Sequence, residues 1–385
     1  MPFITKINPC FVYLCAWGLV SGLFSLRISY LLDGFSEDFL IVLLVILLTY
    51  VCSFYISKYI LFFRDSDVPS KLILTSLRKT NKYLLLIWCI LSLIDIIASD
   101  GITIIWVLQG SGKTYFDFGV NGLHGLSNAI YSVCAMNAYL LSVEQKRKID
   151  KVILGMLLIW PILIVSRQIL ITTLLQIFFI YTTRNSISIK KITKTIVCAL
   201  LVVYLFGLVG DIRTGADKFV RLAQPRYDIF YELPSGFLWG GMYLATPIAN
   251  MQNTYENVEP IDEIQMSISK LIPSPIRKMF FDQEKDVDDG LITQAFNVSS
   301  YMSDFYIDYG LPYLLGFTAL LGGLSAYIYI YSIGKKNYLG ILSYCVLQQM
   351  LFLSIFYNHF LYLPICFQYV IIYFVEGKLK YEVIK

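Results

Sequence analysis

Residues 39–57, FLIVLLVILLTYVCSFYIS, run from Phe39 to Ser57 without a charge. That is the length and composition needed to cross the hydrocarbon core of a bilayer as one helix. The rest of the chain follows it. Hydrophobic residues make up 57% of the 385 positions and charged residues only 15%, against about 25% charged in an average soluble domain. Comparable apolar runs cover roughly 9–27, 83–99, 126–143, 152–166, 168–183, 195–210, 309–331, 338–357 and 361–375. The expectation is an all-α, polytopic integral membrane protein with about ten transmembrane helices, forming a single membrane domain over 1–385. The fifth and sixth spans are short and meet at Ser166-Arg167, which predicts a tight hairpin. The first apolar run has no small-residue cleavage site after it and reads as a span, not as a removable signal.

One stretch breaks the pattern. Between the seventh and eighth spans, residues 211–305 form a large, partly helical loop that opens with Asp211, Arg213, Asp217, Lys218, Arg221 and Arg226. Basic residues set its side. With the N-terminus inside, the cytoplasmic segments hold twenty of the 31 Lys and Arg, whereas the short loops opposite hold only Arg27, Lys113 and Arg167. The positive-inside rule then puts both termini in the cytoplasm and the large loop outside. Chemistry on that face has no ATP and must run on an activated, lipid-borne substrate. The net charge of +4 is scattered through loops and carries no nucleic-acid signal.

Several motifs lead nowhere. Gly110-Ser111-Gly112-Lys113-Thr114 lacks the leading glycine of a phosphate-binding loop, Val107 standing there. Gly18 and Gly22 have the spacing of ordinary close helix packing. The eight cysteines lie in or beside apolar runs, which speaks against a disulfide framework or a thiolate metal site. Two histidines, His124 and His359, are too few for a histidine-rich metal centre. Asp95, near the outer end of the third span, reads as a carboxylate reaching water.

The informative residues sit around the loop. Arg167, at the tip of the hairpin, is placed at phosphate depth. Arg213, Lys218, Arg221 and Arg226 form a local basic head on a loop that is otherwise net acidic, which favours a specific anion site over general attraction. Residues 237–251 are apolar but rich in Gly and Pro, and read as an interfacial or re-entrant segment. Asp304 and Asp308, four residues apart, share a face if helical.

Four stretches resemble the O-antigen polymerases of the Wzy type: Ser-Arg-Gln at 166–168, the arginine-bearing exit at 210–215, Tyr-Leu-Ala-Thr-Pro-Ile-Ala-Asn at 243–250, and Asp-Phe-Tyr-Ile-Asp-Tyr-Gly at 304–310. In the last, Tyr309 stands where that family often has Phe. The resemblance implies a metal-independent, cofactor-free glycosyltransferase on the outer face of the bacterial inner membrane. Its substrate would be an undecaprenyl-pyrophosphate-linked oligosaccharide in the lipid bilayer, its partners a flippase and a chain-length regulator. Arg167, Arg213, Arg221 and Arg226 would hold the pyrophosphate. Asp304 or Asp308, then His359 and Glu232, would take the proton of the attacking hydroxyl. A ligase transferring finished glycan, or a transporter of lipid-linked sugars, shares parts of this pattern.

Overall fold

The computed structural model describes residues 7–61, 70–185, 216–273, 289–335 and 337–383, together with positions 190, 193, 201, 204, 207, 276, 277 and 279. The chain is predominantly helical. The long elements are α1 (Pro9–Ser25), α2 (Glu37–Ile60), α3 (Leu74–Ala98), the short α4 (Thr103–Gln109), α5 (Leu123–Gln145), α6 (Lys148–Leu163) and α7 (Arg167–Arg184). Beyond them come α8 (Ala216–Ala223), α9 (Ile229–Glu232), α10 (Ser235–Asn257), α11 (Met266–Ser269), α12 (Tyr301–Lys335), α13 (Tyr338–Leu353) and α14 (Leu363–Glu376). Two three-residue strands, Ser70–Leu72 and Tyr381–Val383, pair antiparallel.

Helix ends follow local chemistry. Pro9 occupies the first turn of α1, where its missing N–H costs nothing, and the Asn8 side chain accepts from the Cys10 N–H. Ser36 caps α2 through Phe39 N, ahead of Glu37 and Asp38 in the first turn. The α6–α7 hairpin closes through Val165, whose φ of 54° turns the chain back within three residues.

Among the described residues, four stretches are long and apolar enough to cross a membrane: Glu37–Ile60, Leu74–Gln109, Leu123–Gln145 and Tyr301–Lys335. Shorter apolar helices are α1, α13 and α14. The distribution of side chains is inverted relative to a water-soluble bundle. Leu48, Ile97 and Phe374 are exposed, while Gln176, Gln348, Gln349, Asn137 and Asn250 are fully buried. An apolar surface over a hydrogen-bonded polar interior is what a lipid solvent selects.

One expectation is revised. Residues 237–251 are not an isolated short piece; they lie inside the 23-residue α10, which runs through Pro247 and is not among the helices long and apolar enough to cross a membrane. Packing of its buried face, Met242, Ala245, Ile248 and Met251, outweighs the helix-breaking tendency of Gly240, Gly241 and Pro247. Only Leu201, Tyr204 and Gly207 of the seventh expected span are described, each helical; Arg213 lies outside the described residues.

The core has two parts. The larger joins α1, α2, α10, α12, α13 and α14; the smaller, around Trp106, Tyr131, Leu157 and Trp160, joins α4, α5 and α6, with α3 packed against it. Helix α5 serves both, presenting Val133, Met136 and Leu140 to one and Tyr131, Cys134 and Ala138 to the other.

Candidate functional site

Helix α12 is two helices. Tyr309 (φ −144°) and Gly310 (φ 69°, ψ −163°) break it, so 301–308 forms a separate first segment. That backbone region is open essentially to glycine alone. On this segment Asp304 and Asp308 do share a face, and both turn to residues 265–270, yet they do different work. Asp308, fully buried, accepts from the amides of Gln265 (3.1 Å), Met266 (2.7 Å) and Ser267 (3.0 Å), and from the Ser267 hydroxyl. It is an N-terminal cap supplied from another helix, holding α11 in place. Its oxygens are spent on that.

Asp304, 6% exposed, meets Lys270 at 2.8 Å. The Lys270 ammonium also lies 4.2 Å from the centre of the Tyr357 ring, a cation–π contact. The turn between α13 and α14 closes over this pair. Asn358 donates to the Ser267 carbonyl at 3.2 Å, and Leu363 N donates to the Lys270 carbonyl at 3.1 Å. His359, 2% exposed, stands between Tyr357 and Tyr362, ring centres at 5.8 and 6.2 Å. Burial, aided by the positive charge of Lys270, holds its imidazole down at about 3. It is therefore neutral at ordinary pH.

Below His359 runs a chain of amides. Gln349 Nε2 lies 3.4 Å from His359 Nδ1, and Gln176 Nε2 donates to Gln349 Oε1 (3.2 Å) and Gln368 Oε1 (2.8 Å). The Gln176 from α7 thus ties the site to the hairpin helix.

Arg167 opens α7, half-buried, directly after buried Ser166. The helix dipole makes that end receptive to anions. The Ser166 hydroxyl lies near that of Tyr115. Tyr115 precedes α5, whose start approaches the start of α14 at Gly125 and Pro364, and the ring of Tyr362 just before α14 meets that of Tyr357 edge-on at 5.5 Å. Hairpin tip, α13–α14 turn and the start of α12 therefore share one end of the bundle.

Arg221 and Arg226 belong elsewhere. Arg226 stacks over Tyr30 at 5.1 Å and donates its N–H to the Ile28 carbonyl, and Ser29 bridges to Pro225. Arg221 is exposed on α8, and Glu232 is exposed on α9. Their neighbourhood is the α1–α2 turn. Asn250, from the quoted 243–250 stretch, anchors the loop by donating to the carbonyls of Phe296 and Val298 and accepting from Ile292 N.

Sequence reasoning missed Lys270, the lone basic residue between Arg226 and Arg277; its isolation in a polar stretch was the available signal. It also missed that Asp95 and His124 meet. No group of three His, Cys, Asp or Glu suited to a metal ion occurs among the described residues. No protein-family model, curated protein or solved structure matches the chain.

Proposed function

We propose that this protein is a membrane-embedded glycosyltransferase that elongates a glycan by joining undecaprenyl-pyrophosphate-linked repeat units on the outer face of a bacterial inner membrane. The observation that carries the reading is the half-buried Lys270–Asp304 pair, walled by Tyr357, His359 and Tyr362, at the same end of the bundle as Arg167. This end is the one that the Lys and Arg distribution assigns to the outside.

The requirements of the reaction match these groups. As the acceptor hydroxyl oxygen bonds to the anomeric carbon, the bond to the pyrophosphate oxygen breaks and its electron pair leaves with the phosphate. Lys270 and Arg167 neutralise that departing charge in a site shielded from water, where fixed cations act most strongly. Tyr357 and Tyr362 offer ring faces to sugars. His359, neutral, is a hydrogen-bond partner for sugar hydroxyls. Arg221 and Arg226 lie by the α1–α2 turn and are given no role at this centre. Of the expected proton acceptors Asp304 and His359 reach this centre; the charge of Asp304 is committed to Lys270, and His359, held down at about 3, is a weak base.

The test is reconstitution of the full-length protein in nanodiscs with an undecaprenyl-pyrophosphate-linked oligosaccharide. A ladder of lengthening glycans is expected, collapsing to single units with Lys270→Met or Arg167→Ala at equal protein levels. Unchanged ladders in both variants sink the proposal. Transfer of preformed glycan to a different lipid, without lengthening, assigns the protein as a ligase instead.

A further inference from the structure

Asp95, His124 and Tyr115 form a continuous hydrogen-bonded chain outside the Lys270–Asp304 pair. Asp95, 1% exposed, places Oδ2 at 2.8 Å from His124 Nδ1, while its Oδ1 accepts from Val120 N at 3.0 Å. Both carboxylate oxygens are thereby fixed. The other imidazole nitrogen, Nε2, lies 3.0 Å from the Tyr115 hydroxyl. A carboxylate can only accept, so Nδ1 carries the proton and Nε2 is left as an acceptor for the phenol O–H.

The surrounding chain is shaped to hold this geometry. Gly119, at φ 90°, lies so close to the imidazole that a Cβ there would come within 2.7 Å of the ring. Its N–H donates to Ser99 Oγ at 2.7 Å. Phe118 presents an edge to the imidazole at 5.4 Å. Thr114 and Asp117 cap the turn Tyr115–Asp117 reciprocally. The far end of the chain is the Tyr115 oxygen, which the Asn128 amide also approaches at 3.5 Å. Its loop leads into the start of α5, which approaches the start of α14 at Gly125 and Pro364. It faces the same end of the bundle as the pair that we propose binds pyrophosphate.

We infer that Tyr115, backed by His124 and Asp95, is the proton acceptor for the attacking sugar hydroxyl. This rests on the glycosyl-transfer reading above. The hydroxyl proton passes to the Tyr115 oxygen as the phenolic proton passes to His124 Nε2. His124 becomes an imidazolium bonded through Nδ1 to the Asp95 carboxylate. The new glycosidic bond forms, the pyrophosphate leaves with its electron pair, and the proton returns to water from His124 after release. Asp304 is then a positioning residue for Lys270, not the base.

Steady-state transfer by the full-length protein in nanodiscs separates these roles. Tyr115→Phe and His124→Gln are each expected to lower kcat by about 10²- to 10⁴-fold, with KM for the lipid-linked oligosaccharide and the unfolding temperature nearly unchanged. The double variant is expected to be no slower than either single one, because the two groups act as a unit. Retained turnover in Tyr115→Phe, a loss confined to KM, or losses that multiply overturn the inference. If the wild-type protein transfers no sugar, the polymerase reading falls, and the chain is judged by ¹⁵N spectra of His359→Asn protein, where His124 is the sole histidine. A proton on Nδ1 and an Nε2 signal that moves on adding Tyr115→Phe are expected. A proton resting on Nε2 overturns the chain itself.

Discussion

The Lys270 and Asp304 charges make sense only together. Asp304 is almost inaccessible and Lys270 retains some contact with solvent, with side-chain exposures of 9% and 23%. Removing one partner from such a pair leaves an uncompensated charge, at a cost of about 3 kcal/mol, the low end for buried pairs because Lys270 is partly wet. Lys270→Met is expected to lose that much in thermal unfolding, and Lys270→Met with Asp304→Asn to regain most of it; equal losses in the single and double variants would remove the pair from the account. His359 adds a pH dependence. Its folded value of about 3 lies below the ordinary 6.5, so the unfolded chain binds the proton more readily. The resulting stability is complete above about pH 6.5 and falls by about 1.4 kcal/mol per pH unit as pH drops toward 3. His359→Gln is expected to flatten that slope in unfolding measured from pH 7 to 4. Asp304 and His359 stood out in the sequence as polar groups at span edges. Lys270 did not, because its partner is 34 residues away, and only the folded loop brings it home.

At the scale of elements, the kink in α12 sets where the two aspartates point. Gly310→Ala is expected to cost about 2 kcal/mol from its backbone conformation alone, with a further penalty because a Cβ there would sit 3.2 Å from Pro260. The loop 261–271 also depends on Asp308. Asp308→Ala leaves three amide donors without their acceptor, about 3 kcal/mol in sum, and is expected to make this loop a preferred site in limited proteolysis. A loop that stays resistant would mean other contacts hold it. Helices α1 to α3 and α5 to α7 were legible from their apolar runs, although α3 and α6 begin earlier, in charged turns; the short α4 was not. Helix α10 was not, since two adjacent glycines and Pro247 signal interruption locally, and only packing against α1 and α12 supplies the opposing energy. Likewise Asp95 and His124 were separately visible, but their meeting depends on the 99–122 loop folding back, which no periodicity encodes.

For the whole molecule, polar termini gather at the end opposite the site. Arg78 pairs with Asp150 (2.6 Å), Arg184 with Glu144 (2.7 Å), and Asn337 bonds Glu376 beside the paired strands. These residues are among those that the basic-residue asymmetry assigns to the cytoplasm. In a cysteine-free background, Lys113→Cys is expected to react with a membrane-impermeant maleimide in intact cells, and Lys380→Cys only after lysis. The reverse pattern would invert the orientation.

The two-part core has a mechanical meaning. Trp106 and Phe118, which flank the Asp95–His124–Tyr115 chain, belong to the smaller hydrophobic cluster, whereas Phe305 and Phe360, beside Asp304 and His359, belong to the larger. The walls of the site are thus fastened to different bodies, with α5 gripped between them. Near its start, a Cβ at Gly125 would lie 3.4 Å from Pro364, an ordinary van der Waals contact. Alanine there fits without displacing Pro364, whereas a larger side chain would press the start of α5 against the start of α14, at the end of the bundle where the two clusters meet.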